Sequence, residues 1–434
     1  MLLKLFKKLW QVLTGITEKS AKGLSLIWTD KDFRLFAIVY FVQGALGLTT
    51  VSFPLFLKQE LGMTVVAITT MMASYGTLWL IKPLYGAISD ALPIFGFRRK
   101  PYIMLFSAVS SIAWALVAFY PPSYGLVFFA MFLQSLGFAF TDVVIDGLAV
   151  EKSTEKTAGK IQSIMWGSRM AGMMVSGFLG GYLIGVIGYQ GIFTIVAMLP
   201  CAVIIATMFV KEAKVVISKE KVLNIWSKVK AWLSNLKKPS KVIADLSSKY
   251  KALAFASLFI FVSNMFPHFT TGSLAPFTIF MKESLDFSDS LLGLLVTVMS
   301  LGKLLGVIIY ALFLDGVDLR RVLKWSIIIS SMVTLFALLK FNPTSALLIH
   351  LCWGVTGYIS FLPVMKLAVK SCPKSIEATV FALLMSISNL GSTVATLSSG
   401  YVYEYYGLQA LIVLAFIGGL LALPFIKYLK GEGE

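Results

Sequence analysis

Histidine and cysteine are nearly missing from this chain: His268 and His350 are the only histidines in 434 residues, and Cys201, Cys352 and Cys372 form no close pair. Without a Cys/His cluster no zinc site is encoded, and three scattered cysteines make no disulfide framework. No metal or cofactor is expected. Acids are scarce as well, 21 against 38 lysines and arginines, leaving a net charge of +17. No Walker phosphate loop is present, so ATP-driven work is not indicated, and no nucleophile is paired with a general base in a recognisable motif, so the chain does not read as an enzyme.

Apolar residues are abundant. They make up 58% of the chain against 14% charged residues, and the mean hydropathy is +0.84. Apolar runs of about 20 residues, the length that crosses a bilayer as a helix, recur twelve times between residues 33 and 427. The expected fold is all-α and integral to a membrane, with twelve transmembrane helices. With the amino terminus inside, only Lys58, Lys282 and Lys340 of the 38 cations fall in outer loops, so the positive-inside rule puts both termini in the cytoplasm. Basicity reports orientation here, and nucleic acid is not a partner.

The first seventeen residues, MLLKLFKKLWQVLTGIT, are basic and amphipathic, with lysines interrupting the apolar run too early for a secretory signal. They read as a helix lying on membrane lipids. Lys211 to Lys251 carries eleven lysines against three acids and reads as a basic linker resting on the anionic leaflet. The expected organisation is therefore an amphipathic segment over 1–32, a six-helix bundle over 33–210, the linker over 211–251, a second bundle over 252–428 and a tail over 429–434. No organelle transit peptide is recognisable, so a bacterial inner membrane is the expected location, with an organellar envelope as the alternative.

The two bundles are copies of one unit. The stretch from Trp79 to Tyr102, WLIKPLYGAISDALPIFGFRRKPY, returns in shortened form from Tyr310 to Arg321. Phe56-Leu57-Lys58 matches Phe280-Met281-Lys282, Leu148-Ala149-Val150 matches Leu367-Ala368-Val369, and Gly181-Tyr182 matches Gly400-Tyr401. Six helices per copy preserve orientation, so the repeats are parallel, as in the major facilitator fold, with substrate expected between the halves near the midplane. Gly177, Gly181 and Gly185 form a close-packing face on the fifth span.

Charges inside apolar helices carry the functional signal. Asp90 ends the second span and Arg98, Arg99 and Lys100 open the third, an arrangement in which charge-assisted hydrogen bonds hold the inner mouth closed; Asp315 with Arg320 and Arg321 repeats it. Lys82, eight residues before Asp90 on the same face, reaches this gate by snorkelling or else contacts substrate. Asp142 and Asp146, four apart on the fourth span, form a coupled acid pair suited to proton coupling, and Arg169 at similar depth is the natural partner for Asp142. Lys303 stands twelve residues before Asp315, too deep to snorkel, and needs either an anionic ligand or a bridge to Asp142. Polar stripes, with Gln134 on the fourth span, Asn264, His268 and Thr271 on the seventh and Ser386 and Asn389 on the eleventh, serve as helix glue or as ligands. The candidate substrate set is Lys303, Arg169, Asp142, Gln134, Asn264, His268 and Asn389.

FLKQELG at 56–62, IKPLYGAISDALPIFGFRRKPY at 81–102, DVVIDGLAVEK at 142–152 and CPKSIEATVFALLMSISNLG at 372–391 resemble the folate-biopterin transporter family, a branch of the major facilitator superfamily. Lys374-Ser375 stands where that family commonly has Pro-Gly. The resemblance implies a carrier for folates, pteridines or, in some members, S-adenosylmethionine. On this reading Lys303 and Arg169 pair with substrate carboxylates and Asp142 meets a pterin edge, while a cationic substrate would instead use Asp142 and Asp146. The expected function is secondary active transport by a monomer, with a proton as the coupling ion. A non-transporting membrane assembly factor or pigment-binding scaffold is the alternative of another class.

Overall fold

The computed structural model describes residues 27–154, 157–215, 227, 251–271, 274–314, 316–338, 341–370 and 377–429, and among them it is all-helical. The amino-terminal amphipathic segment, most of the basic linker, Asp315 and residues 371–376 lie outside the described residues. Among the described residues eight helices are long and apolar enough to cross a membrane. The first four are α1 (Lys31–Gln59), α2 (Val65–Ala91), α3 (Lys100–Phe119) and α4 (Tyr124–Lys152).

The next helix, Ala158–Met208, has 51 residues. Straight, it would be roughly 75 Å long, more than twice a hydrocarbon core. It breaks at Gly188, whose φ of 66° and ψ of −178° belong to a region open essentially to glycine alone. Ile161 and Met165 from its start share one buried cluster with Val203 near its end, so the segment is a hairpin of α5 (158–187) and α6 (189–208). The second copy turns the same way. Glu377–Leu420 breaks at Gly407, with φ 81° and ψ 176°, and Leu384 from its start packs with Ala422 and Ile426 beyond its end. That hairpin supplies α11 (377–406) and α12 (408–420). Between the hairpins run α7 (Lys251–Thr271, continued by Leu274–Glu283), α8 (Asp289–Leu314), α9 (Leu319–Phe336) and α10 (Pro343–Lys370).

Repetition extends to backbone geometry. After α1 the Met63 N–H returns to the Leu57 carbonyl at 3.1 Å, and after α7 the Phe287 N–H returns to the Met281 carbonyl at 3.0 Å. Gly62 and Asp286, at equivalent places, both take positive φ, and Thr64 and Ser288 then cap α2 and α8 through their hydroxyls.

The start of α1, the described end of the chain at Leu429 and the charged turns lie on one face of the bundle, here the turn face. The two halves meet at the opposite face and in the middle. There Lys58 on α1 faces Glu283 after α7 at 3.9 Å, and Glu404 on α11 accepts from the Val66 N–H at the start of α2 at 2.9 Å. A cavity of about 470 Å³ opens beside them, lined by Thr64, Tyr403 and Gln409. Deeper, Gly181 lets α5 touch the α8 backbone at Asp289 and Gly293, and Gly177 meets Thr297, whose hydroxyl donates to the Met174 carbonyl at 3.1 Å. Gly185 differs from the expectation: nothing lies within 4 Å of a Cβ built there, because α8 begins at Asp289, level with Gly181, and offers no helix one turn further on. Among the described residues no ion pair joins the halves on the turn face.

Gly181→Val would drive a branched side chain into the α8 backbone, an overpacking that costs about 1–3 kcal/mol. A lowered Tm for Gly181→Val, with Gly185→Val close to wild type, is the expected result of thermal unfolding of the purified protein. Equal Tm values for the two variants would contradict the close α5–α8 approach.

Candidate functional site

The α2 helix tightens to a 3₁₀ turn over Thr77–Ile81 just before Lys82 and Pro83. Proline has no N–H to return to the carbonyl four residues back, so the Trp79 carbonyl is left without its helical donor. Asn389 of α11 fills the vacancy with its Nδ2 at 3.4 Å, and Ser386 Oγ donates to the Leu80 carbonyl at 3.3 Å. Both residues thus stitch the two halves together. The distortion also aims Lys82 inward, with its ammonium 4.4 Å from the Trp79 ring centroid.

Lys82 ends on Asp142 at 2.6 Å. This differs from both expectations for the pair: Lys82 does not reach the Asp90 cluster, and the partner of Asp142 is Lys82 rather than Arg169. Lys82 and Asp90 belong to the same regular helical stretch, Lys82–Ala91, where eight residues separate them by roughly 12 Å, so the ammonium goes to the nearer Asp142. Gln43 Nε2 donates to the other oxygen of Asp142 at 2.9 Å, so both carboxylate oxygens are held. One turn along, Asp146 accepts from the Tyr40 hydroxyl at 2.5 Å. The pairing follows from helix geometry. Tyr40 and Gln43 are three apart on α1, and Asp142 and Asp146 are four apart on the antiparallel α4, so two residues on each helix face two on the other.

Arg169 projects from α5, where Gly44 and Gly172 bring α1 and α5 into backbone contact. Its guanidinium lies 5.4 Å from the Trp166 ring, and Trp166 makes an edge contact with Tyr40. Lys303 projects from α8 across the seam, within electrostatic reach of Arg169 and His268. No carboxylate stands at ion-pair distance from Arg169 or Lys303 among the described residues, so the bridge from Lys303 to Asp142 does not form. Both cations keep part of their surface open. Two cations without an ion-pair partner among the described residues, one from each half, therefore stand within electrostatic reach of each other at the interface.

On the turn face Arg99 is nearly buried. Its guanidinium donates to Asp90 at 2.7 Å, Ser89 at 2.7 Å and Glu151 at 2.8 Å, and it packs over Gly147, where a side chain would collide with it. Arg98 reaches Glu151 at 3.1 Å and stands 4.0 Å from Asp90. Glu212, just after α6, accepts from the N–H groups of Arg98, Arg99 and Lys100 at the start of α3. A carboxylate there satisfies donors that helical bonding leaves free. In the second copy Arg320 Nε donates to the Leu429 carbonyl at 2.8 Å, and the Arg321 N–H is capped by Asp318. Asp315, expected to complete that turn, lies outside the described residues.

The BT1 family model matches residues 43–429, almost the whole of this architecture. The chain belongs to the BT1 family. A folate-biopterin transporter of Synechocystis is 30% identical over 93% of this chain and 83% of that protein. Folate transporter 2 of Plasmodium falciparum is 25% identical over 96% of this chain and 93% of its own length. Among solved structures, a POT family transporter bound to a thioalcohol-conjugated peptide matches 91% of this chain and 96% of its own with a TM-score of 0.70 at 16% identity. A D-xylose–proton symporter matches 92% and 98% with a TM-score of 0.69 at 13% identity. At those identities the likeness is one of fold, and it is the fold of the major facilitator transporters. The chain is thus a multi-pass membrane protein of a transporter family, not an enzyme.

Within this BT1 protein the remaining polar candidates are dispersed. Asn264 returns its amide to the Ile260 carbonyl of its own helix at 3.0 Å. Gln134 is partly buried and makes no hydrogen bond to a described residue. The side chain of Thr271 lies outside the described residues. Tyr40, Gln43, Glu151 and Glu212 escape sequence reasoning, although the three-residue spacing of Tyr40 and Gln43 inside an apolar helix complements Asp142 and Asp146.

Asp142 is buried, so removing Lys82 alone leaves an unpaired charge at a cost of roughly 3–5 kcal/mol. Thermal unfolding in detergent is expected to rank Lys82→Met well below the double variant Lys82→Met/Asp142→Asn. Equal loss in the two would show that Lys82 and Asp142 are not a pair.

Proposed function

We propose that this protein is a secondary active transporter of a folate- or pteridine-type metabolite, working by alternating access between the halves 33–210 and 252–428 and coupled to protons. It acts as a monomer in a bacterial inner membrane with both termini cytoplasmic, so the turn face is the inner face and the sealed face the outer one. The observation that carries the reading is the pair of cations Arg169 and Lys303, one from each half and neither within ion-pair distance of an acid among the described residues. Unpaired cations in a low-dielectric cavity attract carboxylates, and a folate carries two on its glutamate tail. Relatives named as folate-biopterin and folate transporters support the same substrate class.

The distribution of contacts supports alternating access. Ties between the halves run from the opposite face to the middle, through Lys58 and Glu283, Glu404, Gly181 and Asn389, while the Arg99 cluster binds only its own half. That is the pattern of a carrier open toward the turn face. An S-adenosylmethionine carrier would meet its cation with Asp142 and Asp146 together, and Lys82 and Gln43 already occupy both oxygens of Asp142. A scaffold would have no use for unpaired cations at the seam.

Uptake by proteoliposomes offered labelled folate, biopterin and S-adenosylmethionine side by side tests the proposal. Saturable uptake of folate is expected, falling by roughly thirtyfold or more in Lys303→Ala, the loss typical when one partner of a buried charge pair is truncated. No uptake of any of the three under inward or outward gradients, beside a working control carrier, would overturn the substrate assignment.

A further inference from the structure

The two acids of α4 are not equivalent. Asp142 has a donor on each oxygen, Lys82 Nζ on one and Gln43 Nε2 on the other, and its charge is cancelled by the ammonium. Among the described residues Asp146 has a single donor, the Tyr40 hydroxyl on Oδ1, and none on its second oxygen. Gln43 is 6% exposed, and its carboxamide oxygen is buried with no donor. The cluster thus holds one free acid oxygen and one acceptor lacking a hydrogen, the complement of a bound proton.

The surroundings of Asp146 can be enumerated. From α1 comes Tyr40, from α2 Lys82, from its own helix Asp142, and from α5 Arg169, the last three within electrostatic reach. Tyr85 of α2 is turned away to the Leu78 carbonyl, and Tyr102 of α3 to the Leu92 carbonyl. Arg99 passes over neighbouring Gly147 but is engaged by Asp90, Ser89 and Glu151. The cation able to balance Asp146 is therefore Arg169, which also faces Lys303 across the seam.

Building on the carrier reading above, we propose that Asp146, and not Asp142, carries the coupling proton, and that Arg169 is the charge shared between this proton seat and the seat for the substrate anion. With the site empty, Asp146 is ionised, Tyr40 donates to it, and Arg169 balances it. A dicarboxylate ligand on Arg169 and Lys303 claims both cations. Lys82 and Asp142 cancel, so Asp146 is left as an uncompensated charge in a low-dielectric interior. A proton taken from water on the loading side converts it to the neutral acid. The same proton returns to water on the other side when the ligand leaves and Arg169 is released to Asp146. Tyr40 keeps its own proton throughout. A neutral pterin leaves Arg169 on Asp146 and calls for no proton, so the strength of coupling follows the charge of the ligand.

Two measurements test this. Infrared difference spectroscopy of the reconstituted full chain, with no ligand, is expected to show a carboxylic-acid carbonyl band on acidification that is lost in the isosteric Asp146→Asn and kept in Lys82→Met/Asp142→Asn. A band that survives Asp146→Asn, or is lost only with Asp142, overturns the proton seat whatever the transport result. In proteoliposomes, an inward proton gradient is expected to raise folate accumulation by about tenfold, a usual size for coupling between linked sites, and to leave biopterin uptake within about twofold. Asp146→Asn should abolish the gradient effect and retain folate–folate exchange. Gradient-driven folate uptake in that variant, or equal stimulation of biopterin, overturns the coupling. Failure of wild type to move either compound while the Asp146 band titrates would sink the substrate reading and leave the proton seat standing.

Discussion

Charge in a low-dielectric medium has to be neutralised, hydrogen-bonded or left for a ligand, and the interior of this protein treats its charges in all three ways. Lys82 neutralises Asp142 at 2.6 Å. Asp146 is hydrogen-bonded by Tyr40. Arg169 and Lys303 have no acid at ion-pair distance among the described residues, and they stand on helices of different halves. Each arrangement depends on the others. If Asp142 were not held by Lys82 and Gln43, it would be available to the cations at the seam, and the proposed anion seat would close on itself as an internal salt bridge.

Backbone irregularities make this division possible. The 3₁₀ turn before Pro83 aims Lys82 at α4 and bares carbonyls that Asn389 and Ser386 tie to the other half. Gly44, Gly172, Gly177 and Gly181 allow α5 to approach α1 on one side and α8 on the other, carrying Arg169 to the seam. Gly188 and Gly407 turn each half back on itself in a backbone conformation that other residues avoid. The turn face is organised separately: Arg99 and Glu212 join the ends of α2, α3, α4 and α6 into one block, and none of their hydrogen bonds to described residues reaches the second half. Such a block suits the proposed rocking of one half against the other.

Much of the fold was legible from sequence because its determinants are local. Span length and the repeated segments each depend on composition or spacing alone, and the paired turns at Gly62 and Asp286 carry the same duplication into the backbone. The site was only partly legible. The intramembrane charges announced themselves, but their pairing is set by which helices are neighbours, and periodicity does not encode that. Arg169 and Asp142 lie at matching depth, which made them look like partners; the broken α2 helix delivers Lys82 first. Tyr40 and Gln43 are neutral and went unnoticed among apolar residues. Glu212 sits at the edge of a lysine-rich segment, where a single acid looks like background, and only the three N–H groups at the start of α3 reveal its task.

The central claim is that two halves, sealed on the face opposite the charged turns, rock about the Arg169 and Lys303 seat. Pulsed electron resonance distances between spin labels test it most directly. With Cys201, Cys352 and Cys372 replaced, labels go at exposed Glu60 and Tyr406 on the sealed face and, in a second sample, at exposed Thr154 and Lys324 on the turn face. Folate is predicted to lengthen the Glu60–Tyr406 distance in part of the population and to shorten the Thr154–Lys324 distance. Distances that stay unchanged under saturating folate, or that both move in the same direction, would contradict it.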